Sequence, residues 1–80
     1  MALMTQAQAK KFCEMDDKML DVMDYLLSKG VFDDKTHRRI LLEGYSKLVD
    51  YLEKKKVING KQAKEAVKLG FDYLLPALAE

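Results

Sequence analysis

An all-helical fold, an up-down-up bundle of three helices, follows from three features of this sequence. Apolar residues recur at three- and four-residue spacing, two short breaks divide the chain into comparable lengths, and almost no β-branched alternation exists to line a strand. The predicted helices lie near 5–29, 34–55 and 60–75.

The first opens at Thr5, with Gln8 three residues on in capping-box spacing, and ends at Lys29-Gly30. Met15, Met19, Val22 and Leu26 fall on one stripe of it. Asp33 opens the second, whose stripe is Leu41, Tyr45, Leu48 and Leu52. Asn59, with Gln62 three residues later, opens the third, whose stripe is Val67, Phe71, Leu74 and Leu78. Pro76 has no N–H to offer the Asp72 carbonyl, so it is expected to end or kink that helix. Short connections make neighbouring helices antiparallel. Gly44 and Gly70 fall inside predicted helices, where each costs about 1 kcal/mol against alanine. Bundle heights set Gly44 level with Phe71 and Gly70 level with Tyr45, so the glycines are expected to make room for the two rings.

The chain also repeats itself at a shift of 26 residues. Asp24-Tyr25-Leu26 falls on Asp50-Tyr51-Leu52, and in the same register Lys29/Lys55, Val31/Val57, Gly44/Gly70, Leu48/Leu74 and Leu52/Leu78 are identical. Phe32/Ile58 and Asp33/Asn59 are alike in kind. The repeating unit is a helix with its exit turn, and three such units fill a single domain over 1–80.

Composition narrows the function classes. Fourteen Lys and Arg against thirteen Asp and Glu give a net charge of +1, and 49% of residues are hydrophobic. That is the make-up of a folded globular chain and not of a polycationic tail. No apolar run approaches the roughly 18 residues that span a bilayer, so no membrane partner is expected. One cysteine, with no signal-type apolar run near the start, fits a reducing, cytoplasmic setting.

Catalytic chemistry is hard to assemble. Cys13 and His37 are the single thiol and imidazole, and bundle heights place His37 opposite residue 25, far from Cys13. One Cys and one His leave a zinc site short of ligands. Neither a metal nor another cofactor is expected, and the chain is read as no enzyme. Glu14, Asp17, Asp21 and Asp24 form a solvated acidic face on the first helix, and Met15, Met19 and Met23 read as core filler. Asp16 lies inside the apolar arc at the height of Tyr45, but the repeat pairs it with Leu42 and Lys68 at a flanking position.

Apolar residues beyond the core stripes point to association. Leu69 and Tyr73, four apart, stand where the preceding repeat has Glu43 and Lys47; Ile40 and Tyr51 widen the apolar arc of the second helix. These four are the expected partner-binding face of a non-enzymatic protein–protein interaction module, an adaptor or inhibitor, and the face would serve a homodimer, a different protein partner, or both. The alternative is a nucleic-acid-binding regulator. Seven lysines face Asp50, Glu53 and Glu65 between Lys47 and Lys68, a local balance of +4, and Lys54, Lys55, Lys56, Lys61, Lys64 and Lys68 would form its surface. The low net charge and the scarcity of arginine argue against it.

Overall fold

A computed structural model describes residues 3–80. They are all-helical, with no strand among them, but the helices number six: α1 Gln6–Cys13, α2 Lys18–Ser28, α3 Asp34–Glu43, α4 Tyr45–Lys54, α5 Gly60–Leu69 and α6 Phe71–Leu78. The three-helix count is thus corrected, because each expected helix is broken near its middle. For the first two expected helices the reason is one of length. A continuous helix over 34–55 would run about 33 Å at about 1.5 Å per residue, longer than any dimension of the 28 × 25 × 23 Å molecule. Breaking it lets both halves wrap one core.

The breaks differ in chemistry. Gly44 closes α3 through its amide to the Ile40 carbonyl (2.8 Å) and opens α4 through its own carbonyl, which accepts from Lys47 (3.1 Å). Its φ of 104° and ψ of −176° lie in a region essentially reserved for glycine. Gly70, at φ 80° and ψ −158°, does the same between α5 and α6. A Cβ built on either residue meets nothing within 4 Å. The glycines therefore serve the bend and do not relieve crowding, although Tyr45 and Phe71 do stack edge-on with centroids 4.7 Å apart. In the first unit the break spans Glu14 to Asp17, and the Asp17 carboxylate caps α2 by accepting from the Leu20 amide (3.2 Å).

The caps fall where the sequence places them. Thr5 with Gln8 and Asn59 with Gln62 form complete capping boxes, and Asp33 accepts from the Thr36 amide at 2.8 Å. The residue before each cap, Met4, Phe32 or Ile58, is buried. Four residues after each cap stands Ala9, His37 or Ala63, the spacing of a hydrophobic staple. The exits repeat as well. The Val31 amide donates to the Leu26 carbonyl (3.1 Å) and the Val57 amide to Leu52 (2.9 Å), the long bond of a Schellman turn. Each turn passes through a left-handed residue, Gly30 at φ 77° and Lys56 at φ 63°.

The core is threefold in pattern. Val22, Met23 and Leu26 on α2, Leu48, Val49 and Leu52 on α4, and Leu74, Leu75 and Leu78 on α6 are all buried, each trio shifted by 26 residues from the last. Helices consecutive in the chain pack on one another, and α1 packs on α6, so the three units close into a ring. Two expected core residues move out: Val67 is 51% exposed, and Met15 falls in the first break, half-buried. Pro76 lies within α6, which continues to Leu78. Burial of Leu75 and Leu78 holds that end helical in spite of the missing bond.

Candidate functional site

The titratable side chains are dispersed. Cys13, at the end of α1, is half-buried with its Sγ 3.9 Å from the Phe71 carbonyl. Burial, then the charge of Asp72, pushes its thiol up, which keeps it protonated and a poor nucleophile. His37 belongs to the junction of α2 and α3. Its Nε2 is 3.0 Å from Asp24 Oδ1 and its ring packs at 6.0 Å from Phe32. Thiol and imidazole thus have separate partners and form no dyad. The Tyr45 hydroxyl donates to the Ala66 carbonyl at 2.7 Å and is pushed up to about 12 by burial. Asp16 is not its partner, for it lies exposed in the first break. Among the described residues no group of three or more His, Cys, Asp or Glu is placed to hold a metal, and no helix is long and apolar enough to cross a membrane.

The four residues of the expected docking face are not brought together as an open surface. Gly70 separates Leu69 from Tyr73, so the two end up on different helices. Leu69, the last residue of α5, is 53% exposed, whereas Tyr73 packs partly buried against the core. Ile40 is 2% exposed and belongs to the core, a correction to its place on that face. Tyr51 is half-buried. Its ring meets Phe32 edge-on at 5.7 Å, its hydroxyl donates to the Val31 carbonyl (3.4 Å), and the Lys55 ammonium lies over it at 5.6 Å. Ile40 and Tyr51 do share a groove between α3 and α4, lined also by Arg39, Lys47, Glu43 and Asp50.

The most exposed large apolar side chain is Leu42, at 89%, one residue short of the end of α3. Val67 and Leu69 occupy the equivalent end of α5 at 51% and 53%, and Leu20 opens α2 at 44%. Leu42 was legible in the repeat, since its counterparts Asp16 and Lys68 are both polar residues of the surface. A leucine there has no core to enter.

All six lysines of the basic surface, Lys54, Lys55, Lys56, Lys61, Lys64 and Lys68, are exposed. They do not make an uninterrupted cationic face. Lys61 and Lys64 line a groove between α4 and α5 together with Asp50, Glu53 and Val67. No protein-family model, curated protein or solved structure matches this chain.

Proposed function

We propose that this chain is a non-enzymatic docking module that associates through the leucine-bearing ends of α3 and α5, with a second copy of itself as the first partner. Leu42 carries the reading. Full burial of a leucine contributes about 1.5–3 kcal/mol, and at 89% exposure this one leaves nearly all of that to an interface. Val67 and Leu69 add apolar surface at the matching end of α5. A net charge of +1 sets little repulsion between copies. A module of this kind works by occupying a surface, as an adaptor or an inhibitor of a larger protein.

The test is gel filtration with light scattering over a concentration series, for the parent chain and for Leu42→Asp with Leu69→Asp. Both positions are exposed, so the variant should keep its circular dichroism. The parent is expected to dimerise as concentration rises and the variant to stay monomeric; identical behaviour of the two sinks the reading. Absorbance at two ultraviolet wavelengths in the same run detects carried-over nucleic acid, since the chain has no Trp. A nucleic-acid-rich peak that clears in salt turns the assignment to the lysine surface.

A further inference from the structure

The ring has three junctions between units, and only two of them are covalent turns. At the third, the Leu3 amide donates to the Leu78 carbonyl at 2.9 Å. This is the bond that Val31 makes to Leu26 and Val57 makes to Leu52, and Leu78 is the residue 26 positions beyond Leu52. The likeness extends along the segment. Leu3-Met4-Thr5 supplies an apolar residue, a buried apolar residue and a helix cap, as Val31-Phe32-Asp33 and Val57-Ile58-Asn59 do. Tyrosine hydroxyls mark the same place. Tyr25 donates to the Leu3 carbonyl (3.0 Å), and Tyr51, its repeat counterpart, donates to the Val31 carbonyl (3.4 Å).

We propose that the third junction is a releasable latch, in which the strap Leu3–Thr5 seats on the end of α6 where a covalent turn would otherwise stand. In the two turns, four residues tie the acceptor carbonyl to the donor amide. The bond can break there, but its partners cannot separate. At the latch no turn joins Leu78 to Leu3; the strap is held by the amide bond, the Tyr25 hydroxyl, the packing of Leu3, the burial of Met4, which is 4% exposed, and the seating on α6 of the α1 helix that follows it. Opening frees the strap, bares the Leu78 carbonyl and uncovers the apolar seat of Met4. It leaves both Schellman turns and the trios of α2 and α4 in place. The latch is therefore the point at which the ring opens first.

One substitution in connectivity isolates this. Joining Glu80 to Met1 puts residues 79, 80, 1 and 2 between Leu78 and Leu3, the same four-residue count as between Leu26 and Val31. Native-state hydrogen exchange would be followed at the Leu3, Val31 and Val57 amides in the linear chain and in the backbone-cyclised one. In the linear chain the Leu3 amide is expected to exchange roughly tenfold or more faster than the other two, the signature of local opening. Cyclisation is expected to bring it to their level, with helical content unchanged. A Leu3 amide already as protected as Val57 in the linear chain overturns the latch. So does a cyclised chain that loses helix or leaves Leu3 fast. Tyr25→Phe keeps the ring against Phe12, 5.3 Å away, and removes the hydroxyl on the strap. It should speed Leu3 severalfold and leave Val57 untouched; equal acceleration of both amides overturns the proposal.

Discussion

The two helices of each unit divide the work unequally. The second helices, α2, α4 and α6, each bury residues at i, i+1 and i+4, and those nine side chains meet around one centre. The first helices bury little: Ala9 on α1, Ile40 on α3, Ala63 and Ala66 on α5. Their outer ends carry Leu42, Val67 and Leu69 into solvent, with Leu20 at the start of α2 the one counterpart among second helices. The comparison teaches where structure and interaction are written. What repeats at 26 residues is the second helix and its exit turn, and what differs between units sits on the first helices.

Leucine makes the sharpest comparison. Leu48 on α4 is fully buried and Leu42 on α3 is 89% exposed, six residues apart in the chain. Leu48→Ala is expected to destabilise by about 2–5 kcal/mol, since it loses both transfer energy and packing around the cavity left behind. Leu42→Ala should fall within about 0.5 kcal/mol of the parent. Chemical denaturation of the two variants at low protein concentration measures both. Equal losses would break the division between inner and outer helices.

The glycines sharpen the same comparison at the points where the two helices of a unit meet. Gly44→Ala or Gly70→Ala puts a side chain into a conformation that L-residues rarely adopt, at an expected cost of about 1–3 kcal/mol. Gly60 has helical backbone at the start of α5, and a Cβ there meets only the far end of the flexible Glu53 side chain, 3.2 Å away. Gly60→Ala should therefore be neutral or stabilising by up to about 1 kcal/mol. Thermal denaturation of the three variants gives the order, and a Gly44→Ala protein as stable as Gly60→Ala would remove the backbone explanation.

These bends mark the limit of what the sequence discloses. Thr5, Asp33 and Asn59 were legible as caps because capping is a matter of residues three apart. The matching turns and the 26-residue shift were legible because identical residues recur in them. The internal breaks were not, because both halves of a unit feed the same core and the apolar stripe runs on across the bend. Helical arithmetic carried past a residue at φ 104° or 80° then points side chains in wrong directions. That is why such arithmetic sends Val67 to the core, pairs Leu69 with Tyr73 across Gly70 and turns Ile40 outward. Length points to the correction for the first two predicted helices, which at about 37 and 33 Å exceed the 28 Å of the molecule, but not for the third, whose bend is owed to Gly70.

The smallest expected effect concerns the three N-caps that open the units, on α1, α3 and α5, which are alike in geometry and unlike in charge. The amide three residues on donates to Thr5, Asp33 and Asn59 at 3.1, 2.8 and 2.8 Å. Only Asp33 ionises. The Thr36 amide, helped by the Thr36 hydroxyl, holds its carboxyl below the usual carboxylate range. A depressed folded-state value means that the cap's contribution is complete above the unfolded value of about 3.9. It is lost as pH falls through the folded one. Acidification should therefore lower the protection of the Thr36 amide, its exchange rate being taken relative to the intrinsic rate at each pH, while the Gln8 and Gln62 amides, held by neutral caps, keep theirs. Asp33→Asn converts the cap to the chemistry of Asn59 and should flatten the response at Thr36. The Asp24–His37 contact lies at the same junction and is shared by parent and variant, so the difference between them isolates Asp33. Thr36 protection that falls equally in both proteins would assign the acid response elsewhere than to the cap.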